Sequence, residues 1–145
     1  MRKIVLLAVV VGVAAAASLI VYALMASWLV RNVGVVKAVG VAVYWDEACT
    51  RPCSEINWGN LTLGETKNVT VYVRNEGNVP ITLNMHTENW SPPEAAEHLT
   101  LTWNYSGEVL QPRDLVPVAF TLSVDYQAFS FSSFSFEIWV VAQNL

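Results

Sequence analysis

Metal and redox chemistry have little to work with in this chain, whose 145 residues hold two histidines, His86 and His98, and two cysteines, Cys49 and Cys53. No G-x-S-x-G turn, Gly-rich phosphate loop, paired-carboxylate motif or CxxC dithiol occurs, so the arrangements that activate a serine, cradle a phosphate or cycle a disulfide are absent. The nearest approach to a cation site is Glu94, Glu97 and His98, which exposed polar residues explain better. The chain is read as not an enzyme, with no metal and no cofactor. Charge is scarce too: 14% of residues are charged, against about 25% in an average soluble domain. Beyond residue 31 five basic side chains (Lys37, Arg51, Lys67, Arg74 and Arg113) face all twelve acidic ones. That balance excludes nucleic acid and anionic lipid headgroups as partners recognised through a basic face.

What is abundant is apolar, and much of it is contiguous. After Arg2 and Lys3, the 27 residues from Ile4 to Val30 carry no charge. As a helix that run reaches about 40 Å, enough to cross a hydrocarbon core of about 30 Å with tilt. A cleaved secretory signal is the competing reading, with Ala14-Ala15-Ala16 or Ala15-Ala16-Ala17 as an A-x-A site. Cleavage there leaves Leu19 to Met25 and Trp28 to Val30 as an apolar terminus in water, so an uncleaved signal anchor is preferred. Two domains follow: residues 1–31, an N-terminal transmembrane helix inserted in the lipid bilayer through residues 4–30, and an extracellular domain, residues 32–145.

The second domain alternates with period two, the mark of half-buried strands. Val69, Val71 and Val73 point one way and Asn68, Thr70, Tyr72 and Arg74 the other. Glu76-Gly77-Asn78 reads as the turn of a hairpin into Ile81, Leu83 and Met85, with Gly77 at positive φ and Asn75 bonded across the turn. Leu99, Leu101, Trp103 and Tyr105 share a face, as do Val116 to Val124 and Phe134 to Val140 at alternate positions, with a short strand near Val109-Leu110. A first strand runs from about Val35 to Trp45, and a short one lies at Ile56-Asn57-Trp58. Ser91 ahead of Pro92-Pro93-Glu94 has capping-box spacing for one short helix ending near His98. Seven or eight strands in this length predict an all-β fold, an immunoglobulin-like antiparallel β-sandwich behind the membrane helix.

The spacing of Cys49 and Cys53 favours a local disulfide outside the cell, contributing about 2 kcal/mol at best, with free thiols as the alternative. N-x-S/T sequons stand at Asn60, Asn68, Asn89 and Asn104; Asn60 and Asn68 are expected to be the most accessible. Trp139 alternates against Phe136, Ile138 and Val140 and is expected to face out, and Trp90 is placed in a loop. These two indoles form the candidate binding surface, for a neighbouring protein or a surface glycan.

The stretch Ile56-Asn57-Trp58-Gly59, Leu63-Gly64-Glu65, Val69 to Arg74, Asn75-Glu76-Gly77-Asn78 and Pro80-Ile81 resembles the ASH and CARDB-type immunoglobulin-like domains. In those families a G-x-L-x-x-G turn precedes a strand ending N-x-G-N-x-P. It is also similar to short archaeal cell-surface proteins that carry one such domain behind an N-terminal anchor. The resemblance covers residues 54–142 and implies an adhesion, spacer or assembly module without catalytic residues. A second resemblance is to TasA-like and archaeal bundling-pilus subunits, and it implies a secreted filament subunit polymerising by donor-strand exchange through residues 33–45. The expected function is a non-catalytic, membrane-anchored cell-surface module for adhesion or envelope assembly, with other envelope proteins or further copies as partners. The filament subunit and a carbohydrate-binding module are the alternatives. The charge-poor first and last strands are expected to be covered, inside the sandwich or by another subunit.

Overall fold

The computed structural model describes residues 32–127 and 131–145. The expected transmembrane helix and the 1–31 boundary lie outside the described residues, among which no helix is long and apolar enough to cross a membrane. The described part is all-β, two sheets of four strands each. In chain order the elements are β1 (Asn32–Val39), β2 (Val41–Tyr44), β3 (Glu55–Asn57), β4 (Thr66–Asn75), β5 (Ile81–Ser91), the single turn α1 (Ala95–His98), β6 (Leu99–Trp103), β7 (Leu115–Val124) and β8 (Phe134–Asn144). One sheet has the order β3-β1-β8-β5 and the other β2-β4-β7-β6.

The core is where the period-two pattern puts it. Val71 and Val73 of β4, Val118, Phe120 and Leu122 of β7, and Phe136, Ile138 and Val140 of β8 are all essentially removed from solvent and belong to one cluster. Each such side chain contributes roughly 1.5–3 kcal/mol through the water it sheds. Every pairing is antiparallel except that of β1 with β8, which run parallel in register from Asn32↔Phe134 to Val39↔Val141. Asn32 fixes the start of that ladder. Buried itself, it donates from Nδ2 to the Gly59 carbonyl at 2.7 Å and accepts the Phe134 N–H on Oδ1 at 3.1 Å. Gly34 fits because β1 passes close under Ile138 and Trp58: a Cβ there would lie 2.8 Å from Ile138 Cδ1.

The structure corrects the sequence reading at several points. The expected strand from Val35 to Trp45 is two strands, because Gly40 takes φ +74° and carries the chain from one sheet to the other. The expected hairpin does not form, since β4 and β5 belong to different sheets and the 76–80 segment bridges between them. Gly77 is not at positive φ; Asn75 makes the bend instead, accepting the Gly77 N–H on Oδ1 at 2.9 Å. Near Val109-Leu110 there is only an isolated bridge from Leu110 to Ile81. Ser91 caps nothing: it is the last residue of β5, and α1 is preceded by Glu94 without a side-chain cap. Trp90 is in β5 and not in a loop.

Of the two charge-poor segments, β8 is internal, between β1 and β5, whereas the expected first strand is covered only in part: β1 lies beside β8 along its length but pairs with β3 only from Val33 to Val35, and β2 is an edge of its own sheet. The long edge strand is β5, and its exposed side is part-blocked. The Ile81 N–H donates to the Leu110 carbonyl at 3.0 Å and the Leu83 N–H to the Tyr105 hydroxyl at 3.1 Å, which leaves a shortened edge for another strand to join.

Asn75 holds this end of the molecule together. Fully buried, it donates from Nδ2 to the carbonyls of Val79 and Leu110 at 2.9 and 3.0 Å, while its backbone bonds Asp114 and Arg113. Asn75→Ala removes a fully buried amide together with its bonds to the Val79 and Leu110 carbonyls and the Gly77 N–H, leaving Leu110 with the Ile81 N–H alone, and is expected to cost about 2 kcal/mol. Asn75→Asp, which keeps the acceptor for Gly77 but turns an anion onto two carbonyls, is expected to cost at least as much. Urea denaturation of the two variants at neutral pH checks both.

Candidate functional site

The outer face of the β3-β1-β8-β5 sheet collects the side chains best suited to recognition. Strand alternation turns Val35, Lys37 and Val39 of β1, Glu137, Trp139 and Val141 of β8, and Asn84, His86 and Glu88 of β5 to the same side. Register arranges them in three rows across the strands: Val39–Val141–Asn84, Lys37–Trp139–His86 and Val35–Glu137–Glu88. Trp139, half-buried, is the centre of the grid.

Each polar member is held by a neighbour. The His86 ring lies parallel to the Trp139 indole, with centroids 5.8 Å apart and planes 5° off, so one face of the indole is already occupied. His86 Nε2 is 3.0 Å from Glu88 Oε1. Glu137 Oε1 accepts from Trp139 Nε1 at 3.3 Å and from Asn89 Nδ2 at 2.5 Å. These donors offset the repulsion of placing Glu137 opposite Glu88. The face thus offers an apolar stripe of valines and one indole edge, flanked by the Lys37 cation and two carboxylates. It can dock a complementary surface; it contains no nucleophile beside a base.

The other expected site residues are spread over the molecule. Trp90 does not share the face with Trp139: its ring stacks on buried Phe136 at 4.1 Å, and its N–H donates to Thr87 Oγ1 at 3.1 Å. His98 binds Asp125 through Nδ1 at 3.0 Å, and no metal-holding cluster of His, Cys, Asp or Glu occurs among the described residues. All four sequon asparagines are exposed. Asn68 and Asn104 use their oxygens, accepting from Thr121 Oγ1 and the Ala119 N–H at 2.7 and 2.8 Å, which leaves Nδ2 outward. Asn89 commits its Nδ2 to Glu137.

Trp58 was legible only as part of a short strand. It is a buried core residue whose indole N–H has no hydrogen-bond partner among the described residues. Lys37 and His86 join the site through cross-strand register, which no local motif announces. In comparisons with known proteins the chain matches no family model and no curated protein.

Cys49 and Cys53 are free thiols in this structure. They flank a loop tied down by Asp46, whose carboxylate accepts the Thr50 hydroxyl and the N–H groups of Thr50 and Arg51 at 3.0 and 2.9 Å. The Thr50 hydroxyl, then the Arg51 N–H, hold that carboxyl below the usual range. Cys53 is in the core, and burial pushes its thiol from 9.0 up to about 11.

Two predictions follow from this geometry. In a host that modifies N-x-S/T sites, Asn68 and Asn104 carry glycans and Asn89 does not, as read by glycopeptide mass spectrometry. For the thiols, a reduced sample labelled at pH 8 takes up alkylating reagent at Cys49 in the native state and at Cys53 only after unfolding. Because the unfolded chain loses the Cys53 proton first, stability falls as pH rises from 9.0 toward 11. A sample in which the pair is oxidised takes up no label even when unfolded.

Proposed function

We propose that this chain is a non-catalytic, single-pass cell-surface module: residues 4–30 anchor it in the membrane, and an immunoglobulin-like domain outside the cell serves adhesion or envelope assembly. The observation that carries this reading is that a β-sandwich begins at Asn32, two residues after the uncharged run ends at Val30. Strand order supports the immunoglobulin-like assignment. β2-β4-β7-β6 has the A-B-E-D order of such domains and β5-β8 the antiparallel C-F pair. The place of the seventh strand, beside F, is taken by β1, which enters parallel. The outer face around Trp139 is the surface on which other envelope proteins dock; stacking by His86 makes it less suited to a sugar ring, which needs an open aromatic face.

A second reading, a secreted filament subunit, draws on that same slot. The strand filling it is the one nearest the start of the domain, and it joins the rest through the single corner at Gly40. In a filament the segment 33–45 would fill the slot of the next copy.

Native membranes washed with carbonate at high pH distinguish the two. The anchored module stays in the pellet with an N-terminus at or near Met1 and behaves as a monomer in mild detergent. Recovery of a soluble form beginning near Ala17, together with concentration-dependent polymers, would overturn it in favour of the filament.

A further inference from the structure

β4 is an edge strand along much of its length. On one side it pairs with β7 from Thr66 to Arg74, but on the other β2 covers only Tyr72 to Asn75. Backbone parity shows which groups are left over. The Asn75 N–H and carbonyl bond Asp114 and Arg113, on the β7 side, so odd-numbered residues of β4 turn their backbone groups to β7 and even-numbered ones to β2. Beyond the end of β2, Thr66, Asn68 and Thr70 aim N–H and C=O groups out of the sheet, and none of these groups has a partner among the described residues.

The neighbouring edges are managed and this one is bare. The outer side of β2 carries the 51–53 segment, through the Cys53 N–H on the Val43 carbonyl and the Trp45 N–H on the Arg51 carbonyl, both at 2.8 Å. β3 has three residues, and β5 is part-blocked. The 66–70 strip has no proline, bulge or outward charge, the devices that keep an edge from pairing. Its one charge, Lys67, turns inward. An inward cation guards an edge when a newcomer would bury it unpaired, but Lys67 already bonds the carbonyls of Trp58 and Asn60 at 2.8 and 2.9 Å.

We propose that this strip pairs with the same strip of a second copy, antiparallel about a two-fold axis at Asn68, and that a glycan on Asn68 prevents it. The register follows from the strip itself. Centred on Asn68, Thr66 meets Thr70 of the second copy on either side, and about six N–H···O bonds close the junction. Thr–Thr is a favourable cross-strand pair, and Lys67 falls opposite Val69. Centring on Lys67 sets two cations face to face and leaves Thr70 unpaired; centring on Val69 leaves Thr66 unpaired. β6, the other edge of this sheet, would join β4 head to tail and run on as a polymer, whereas β4 with itself closes as a dimer.

Asn68 lies on the outer face, where its oxygen accepts from Thr121 and its Nδ2 is free for a glycan. At the axis the two Asn68 Cα atoms come to about 5.5 Å, so two glycans would be rooted at one spot. The sequon Asn68-Val69-Thr70 supplies the guard that the side chains of the strip do not. The junction is short, so pairing needs concentrated protein and a dilute extract stays single. It holds whichever way the chain is attached to the cell.

The test follows the full-length chain in mild detergent by sedimentation velocity over a range of concentrations. Without glycans the parent is expected to dimerise as concentration rises. Asn68→Lys and Asn68→Asp each set like charges opposite one another at the axis and weaken dimerisation about fivefold, while an equal mixture of the two restores it as a mixed dimer. Made in a glycosylating host, the chain with a glycan on Asn68 stays monomeric and Asn68→Gln dimerises. A glycan-free parent that is monomeric at every concentration, polymers larger than dimers, or dimers indifferent to both charges overturn the pairing. Equal dimerisation with and without the glycan overturns the guard. Position 68 is exposed, so these substitutions leave the core intact.

Discussion

The parallel ladder between β1 and β8 is the constraint on which the rest of this molecule depends. It joins residues about a hundred positions apart in the chain, and it converts β8 from an edge strand into the middle of a sheet. Without β1 the apolar side chains of β8 and the indole of Trp58 would face an open groove. The fit is close enough that Gly34 has no room for a side chain, and Asn32 spends both ends of its amide group to set the register. The loop-closure cost of such a distant contact is recovered only when the whole strand zips at once.

The same ladder creates the candidate site. Lys37, Trp139 and His86 fall in one row because β1, β8 and β5 are adjacent in that order and in that register. A shift of one residue in β1 would replace Lys37 with Val36 or Ala38 and turn an inward side chain out. The candidate face is thus a by-product of how the core is closed, with β1 and β8 contributing to both.

How much of this was legible in the sequence depended on range. The inward faces of β4, β7 and β8 were readable from alternation, since each valine or phenylalanine reports its own side of the sheet. Trp139 was placed outward by the same parity. What alternation does not encode is the partner. Glu76-Gly77-Asn78 marks a reversal equally well for a hairpin and for an arch between sheets, and only the burial of Asn75 against Leu110 selects the arch. Gly40 was hidden because the residues on both sides are β-branched, apolar and charge-poor, so nothing in composition changes where the chain leaves one sheet for the other. The short helix was found in place but for the wrong reason, since Ser91 completes β5 and prolines begin the turn. Trp90 was misplaced because its packing partner, Phe136, comes from a strand that pairs with β5 only in the folded state.

The direction of β1 also has a mechanical meaning. A load on the Trp139 face is borne by β8, and resistance from the chain ahead of Asn32 is borne by β1. The two strands lie side by side and point the same way, so a pull between them acts along their length. Such a pull strains every rung together in shear, whereas a strand peeled from its end yields one bond at a time. A domain held at its first strand and loaded along β8 therefore meets that force with the whole ladder at once.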